Sequence, residues 1–369
     1  MIGAGWLGDV HARAWARLRH HYPDLNLQPR LEAVADSVPA ALTRAVSRHG
    51  YLRSYDDWRD LVDDPAVQAI SVTTPNALHR EIGAAVAAAG KHLWIEKPVG
   101  LSVEDARIVR DAVRRAGVAA TVGFNYRSVP AYARLCQLVA EGAIGTPTHA
   151  SVSLRSDYAA HPLGALSWRF QAATGGHGIL GDLGSHAVDL TRAVLGDLEA
   201  LVAQTATFIR ERPLPDEGEA AYGHGLGRSD APSGLVENED YLVALARTRR
   251  GALVTLECSR VATGEQNSYR VEVHATQGFV AWDYRTTGEL WVSSGIEYVD
   301  QPVRRVLVGA EAGDYARFQP GSANAMSYGL SRANRDSRNL QRALKSRVTG
   351  IASEKLRIDQ SRGVQPGEP

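Results

Sequence analysis

Met1-Ile2-Gly3-Ala4-Gly5-Trp6-Leu7-Gly8-Asp9-Val10-His11-Ala12-Arg13-Ala14 opens the chain, and the reading of this stretch decides the fold. Gly3, Gly5 and Gly8, with Trp6 and Leu7 between them, fit G-x-G-x-x-G. Val10, Ala14 and Leu18 then recur at helical spacing. A glycine fingerprint alone is weak evidence, since an ordinary turn can carry it. Context gives it meaning. Leu31 to Asp36 reads as a buried strand ending in an acid, Ala69 to Pro75 as a second strand and His92 to Pro98 as a third. Helical stretches lie between and after them: Pro39 to Arg48, Tyr55 to Val62, Leu78 to Ala89 closed by Gly90, and Val103 to Ala116 before a strand at Val118 to Phe124. Alternating strands and helices imply βαβ units on a parallel sheet, a Rossmann domain over 1–128.

After about Arg127 the pattern changes. A helix, Ala131 to Glu141, leads to strand-like HASVSLRS and then to the glycine-rich run Gly175 to Gly196. Beyond it six further stretches read as strands joined by short turns such as Arg250-Gly251 and Gln277-Gly278. The expectation for 129–329 is a second domain with a large, open, mainly antiparallel sheet. Pro213 to Gly234 is a Gly/Pro/acid-rich loop, long enough to be read as a lid. Residues 330–369 read as a basic, polar tail with an amphipathic helix through Leu330, Ala333, Leu340, Leu344 and Val348. The start of the chain conflicts with the Rossmann reading. Only Met1 and Ile2 precede the fingerprint, where a central strand of about five or six residues belongs. The expectation is therefore a truncated first strand and a true start a few codons upstream.

Composition narrows the function. The 369 residues carry 41 basic and 41 acidic side chains, for a formal charge of zero. That balance speaks against nucleic-acid or membrane-surface binding. No signal peptide and no apolar run of membrane-spanning length is visible, so the expected location is cytoplasmic. Two cysteines, Cys136 and Cys258, cannot build a disulfide framework or a thiolate metal site.

If the fingerprint is real, its glycines serve the tight turn, close approach to a pyrophosphate, and helix–strand packing in that order. Asp36 ends the second strand, where a carboxylate accepts ribose hydroxyls and repels a 2′-phosphate. No arginine follows at 37 or 38, so NAD is expected over NADP. Lys97 stands at a strand's carboxyl end, where ligands bind in open α/β sheets. Only four of the 41 basic residues are lysines, so keeping one here is notable. Asp182 and His186 are four apart and are expected on one helix face, the carboxylate orienting the ring or raising its pKa. Asp189, a turn further, reads as a packing partner, and His177 falls in the glycine run. No second histidine stands at ligand spacing, so no metal is expected.

Together these pieces resemble the Gfo/Idh/MocA family, the glucose-fructose oxidoreductase and inositol dehydrogenase group. The matching stretches are IGAGWLGDVHARA, TTPNALHREIGAAVAAAGKH, EKP, VGFNYR, SWR and GGHGILGDLGSHAVDL, in family order over roughly residues 1 to 330. The resemblance implies NAD(P) on the N-terminal domain and oxidation of a secondary CHOH of a sugar, cyclitol or aminocyclitol, or reduction of the ketone. It also implies a homodimer or homotetramer through the C-terminal sheet. Lys97 matches the EKP lysine that contacts the substrate hydroxyl; Asp182 and His186 match the D-x-x-x-H pair, the histidine being the acid/base. Thr74, Pro75, Asn76, His79 and Glu96 match positions on the nicotinamide side. Arg127, Trp168 and Arg169 match positions near the substrate. The alternatives are an NADP-dependent ketosugar reductase, a non-catalytic dinucleotide-sensing regulator, and glycosidase chemistry with retained NAD.

Overall fold

The computed structural model describes residues 1–25, 27–215, 225–308 and Arg317. The expected tail helix at 330–348 and the centre of the Pro213–Gly234 loop lie outside the described residues. The loop's ends are held together by an antiparallel pair, Glu211–Pro213 with Ser233–Leu235.

In the N-terminal half, the elements are α1 (Trp6–His21), β1 (Ala33–Ala35), α2 (Pro39–His49), β2 (Arg53–Tyr55), α3 (Trp58–Asp63), β3 (Ala69–Val72), α4 (His79–Ala88), β4 (His92–Ile95), α5 (Val103–Ala116) and β5 (Ala120–Val122). Strands β1 and β2 pair in parallel, as do β3, β4 and β5. What joins the two groups is Ile2, which bridges in parallel to Ala35 on one side and Val72 on the other. The first strand is thus reduced to one bridging residue in the central place. Around it Gly3 donates to the Ala35 carbonyl and Thr73 to that of Ile2, both at 2.9 Å. The Met1 amine, buried, donates to the Ala33 carbonyl at 2.8 Å, and burial pushes its pKa down to about 5. Strand β2 is absent from the sequence reading, which placed Tyr55 in a helix. Arg53 and Ser54 are exposed, so this edge strand lacks the apolar pattern that marks its neighbours.

In the second half, α6 (Pro130–Ala140) precedes β6 (Pro147–Arg155). The short α7 (Ala172–Gly175) and then α8 (Ser185–Leu195) precede β7 (Leu198–Ala206), the ribbon strands β8 (Glu211–Pro213) and β9 (Ser233–Leu235), β10 (Tyr241–Thr248), β11 (Leu253–Ser259), β12 (Ser268–Ala275), β13 (Gly278–Asp283), β14 (Glu289–Ser294) and β15 (Arg304–Leu307). Eight of these strands form one sheet in the order β15-β14-β13-β12-β6-β11-β10-β7. All its pairings are antiparallel except β6 with β11, which run parallel. Helices α6 and α8 cover one face, and their Tyr132, Leu135, Ala187 and Leu190 join Val152, Leu256, Val271 and Trp282 of the strands in the main core.

The other face is polar along β12. On β12 the outward residues are Arg270, Glu272 and His274, because strict alternation sends Tyr269, Val271 and Val273 inward. Exposed apolar side chains occur at both edges: Val202, Val243, Leu245 and Leu253 on β7, β10 and β11, with Leu245 paired to Val202 in register, and Trp291, Val306 and Leu307 on β14 and β15. No helix among the described residues is long and apolar enough to cross a membrane.

Candidate active site

A cleft of about 250 Å³ runs along the carboxyl ends of the N-terminal strands and beneath the C-terminal half. Its lining includes Gly3, Gly5, Trp6, Leu7, Asp36, Thr74, Pro75, Asn76, His79, Glu96, Lys97, Trp168, Arg169 and Asp182, which the sequence reading singled out.

The glycine loop is a cradle with three different walls. A Cβ on Gly8 would sit 2.2 Å from the Gly3 carbonyl oxygen, so this position fixes the approach of α1 to the loop. Gly3 has φ of +94°, and a Cβ there would press on the Thr73 backbone at 2.8 Å. Gly5 is different, for a Cβ there would meet nothing within 4 Å. It is the N-cap of α1 and offers no side chain to the first-turn amides, which leaves them for an anion. Asp36 stands beside the loop, its Oδ2 accepting from the Ala4 N–H at 2.7 Å and its Oδ1 from Val38 at 2.9 Å. These residues fit a dinucleotide: open space at Gly5 for the pyrophosphate, and an oriented carboxylate for the ribose.

Deeper in the cleft, several matched residues tie the walls together. The His79 ring stands between the carbonyls of Pro98 (2.6 Å) and Thr74 (2.9 Å), linking the ends of β3 and β4; burial holds its pKa below the ordinary range. Asn76 donates to the Gly175 carbonyl at 2.9 Å and so joins the two halves. Glu96, buried, lies 2.9 Å from His11 Nε2, and the His11 ring stacks on Trp94 at 3.9 Å. His11 escaped the sequence reading because only its spacing along α1 points it inward.

At the substrate end Asp182 enters α8 through a wide turn, Leu180–Gly184, rather than from within a regular helix. Its Oδ1 lies 2.5 Å from Lys97 Nζ and its Oδ2 accepts from the Tyr158 hydroxyl at 2.7 Å. Those two donors hold the carboxyl well below the usual range against the opposing effect of burial. The expected orientation of His186 by Asp182 is therefore not what the structure has. Both carboxylate oxygens are engaged elsewhere, and His186 Nδ1 is buried without a hydrogen-bond partner. The ring sits edge-on to Phe124 (5.6 Å) and Tyr126 (4.6 Å), and burial together with the Lys97 charge keeps it neutral far below its usual pKa.

Arg127 forms a double hydrogen bond through its guanidinium with Asp189, one turn past His186, and neither Arg127 nor His186 is among the residues lining the cleft. Trp168 and Arg169 do line it, the guanidinium lying 4.4 Å over the indole. The lining also includes residues that no motif assigns to a site, among them His177 in the glycine run, Tyr158 after β6 and Arg260 after β11. Arg260 is buried and pairs with buried Asp240 at 2.8 Å.

Residues 1–124 match the oxidoreductase family with an NAD-binding Rossmann fold, and residues 132–281 match the GFO/IDH/MocA C-terminal domain. A levoglucosan dehydrogenase of Pseudarthrobacter phenanthrenivorans is 34% identical over 330 residues, covering 89% of this chain and 84% of its own. An inositol 2-dehydrogenase of Rhizobium meliloti is 27% identical over 304 residues, covering 82% and 80%. Among solved structures, a levoglucosan dehydrogenase in complex with NADH and L-sorbose superposes with a TM-score of 0.85 at 31% identity. That match covers 94% of this chain and 88% of the other.

Proposed function

The chain belongs to the Gfo/Idh/MocA family of NAD-binding oxidoreductases, and on that premise we propose a specific division of labour in its cleft. The protein is an NAD-dependent oxidoreductase that acts on CH–OH groups of sugars or cyclitols. NAD, when bound, accepts the hydride. The Gly3–Gly8 loop and the α1 amides would hold its pyrophosphate and Asp36 its adenosine ribose, which favours NAD over NADP.

Loss of hydride from a carbinol carbon requires that the hydroxyl proton leave as well. His186 is the proposed base, since a neutral imidazole is ready to take that proton. Lys97 donates to the same oxygen and steadies developing negative charge. Asp182 holds Lys97 as its counter-ion rather than orienting His186. Trp168 and Arg169 form the opposite wall, against which the ring of the substrate lies. Arg127 is assigned a structural role, locking α8 through Asp189.

The observation that carries this reading is the meeting of Lys97, Asp182 and the glycine cradle in one cleft. The test is NADH formation across levoglucosan, inositols, aldoses and aminocyclitols, with the same panel run on NADP. Turnover on at least one polyol with NAD is expected. Tight NAD binding with no turnover on any of them would favour the sensor alternative.

Two further readings complete the proposal. Assembly is through the outer sheet face, where Val202, Val243, Leu245 and Leu253 are exposed apolar side chains on the adjacent strands β7, β10 and β11. A monomer by light scattering at micromolar concentration would contradict it. The setting is the cytoplasm, in line with a diffusible cofactor and a small polyol substrate.

A further inference from the structure

The unexpected partner of Asp182 is Tyr158. A carboxylate at this position has three claimants: Lys97 after β4, the Tyr158 hydroxyl, and the His186 ring four residues on. The structure gives one oxygen to Lys97 and the other to Tyr158, and leaves His186 Nδ1 with none. Lys97 also approaches the Asp182 carbonyl at 3.4 Å. An ammonium has three N–H groups, so with two directed at Asp182 one remains for a ligand.

Tyr158 is itself held firmly. It follows β6 and packs against a small core of Ala159, Leu166, Phe170 and Val236. The loop around it is gripped by Arg212, a fully buried guanidinium that donates to the carbonyls of Ala159 (2.5 Å) and His161 (3.0 Å). Arg212 lies 4.2 Å over the Phe170 ring and makes no ion pair with an acid among the described residues. Displacing this loop would strand a buried charge without its carbonyl acceptors, which is costly. The Tyr158 hydroxyl is therefore a fixed donor, not an adaptable one.

We propose that Tyr158 is a positioning residue that decides which catalytic partner Asp182 serves. By occupying Oδ2 it fixes the rotation of the carboxylate, keeps Oδ1 on Lys97 and denies Asp182 to His186. This rests on the reading above, in which Lys97 faces the substrate oxygen and His186 is the base. Without the hydroxyl, Asp182 is free to turn to the imidazole. Lys97 then loses its anchor, and the ring gains a carboxylate that favours its protonated form. Among the described residues Lys97 and Asp182 are the charged groups that act on His186 and Tyr126 packs on its ring, while Asp189, one turn further along α8, is held by Arg127.

The experiment uses the full chain with NAD and whichever polyol it oxidises, comparing Tyr158→Phe, Lys97→Ala and the double variant. Tyr158→Phe should lower kcat about tenfold, a coupling of ordinary size for groups in one network. It should leave NAD affinity and melting temperature near those of the unaltered protein, and move the acid limb of the kcat/KM profile to higher pH. In the Lys97→Ala background it should cost little more, because the partner through which it acts is gone. Unchanged kcat with an unmoved acid limb, or losses that multiply in the double variant, would overturn the assignment of Tyr158. A silent Lys97→Ala would instead overturn the reading of the site, and this proposal with it.

Discussion

On the proposed dinucleotide side of the cleft the backbone lines the site, whereas the opposite wall is built from side chains, several of them held by buried partners. The Gly3–Gly8 loop needs only positive φ, close approach and free amides, all supplied within six consecutive residues. The facing wall takes Tyr158, Trp168, Asp182 and Arg260 from separate segments, and Arg212, Asp240 and Asn238 fix them from behind. A backbone receptor is general for one cofactor. A wall of supported side chains can change its specificity by changing one support, so the two halves should respond differently to substitution.

The largest expected effect tests the catalytic end. His186→Ala should lower turnover by a factor of about 10² to 10⁴ while NAD affinity stays nearly constant. Comparable NAD loss in titration calorimetry would show that the two walls are not separable. Next comes the scaffold of the substrate wall. Asp240→Ala leaves Arg260 buried without its carboxylate, a change that typically costs ~3–5 kcal/mol, and chemical denaturation should show a loss of that size. The cradle should behave in the opposite way. Gly5→Ala meets no protein atom within 4 Å, so melting temperature should hold. NAD affinity should nevertheless fall about tenfold or more, ~1.4 kcal/mol, because the methyl occupies the approach to the pyrophosphate. A large fall in melting temperature with unchanged affinity would reverse the assignment.

Smaller effects follow. In a pH profile, the acid limb of kcat/KM should lie below the usual imidazole range. The sign follows from the environment: burial and the Lys97 charge lower the His186 pKa, so the base stays neutral as pH falls through about 6.5. A limb at or above that value would mean that a different group titrates. The smallest change is at Asp36→Ala, which should narrow the preference for NAD over NADP without altering kcat. Its readout is the ratio of the two Kd values.

The N-terminal fold was legible because its signals are local. Gly90 and Gly117 end their helices with φ of +73° and +67°, as helix-terminating glycines do, and buried β3 and β4 read as apolar runs. Strand β2 was not legible, since two exposed residues and one half-buried one carry no period. The C-terminal sheet was foreseen as mainly antiparallel, but the parallel pairing of β6 with β11 could not be. These strands are about a hundred residues apart, and nothing in either sequence states its neighbour. Arg127 shows the same limit within the site. Its motif places it near the substrate, while Asp189, packed one turn beyond His186, claims its guanidinium.

What the sequence determined by itself was the cofactor-binding fold, the lysine at a strand end, and an aspartate and a histidine four apart on the way into a helix. These depend on spacing and on backbone conformations that few residue types tolerate. Only the tertiary structure decided who partners whom. Asp182 serves Lys97 and not His186, because Tyr158 reaches its second oxygen from a loop that Arg212 holds in place. A carboxylate has two oxygens, and which donors reach them is set by packing between distant segments, which no local pattern records.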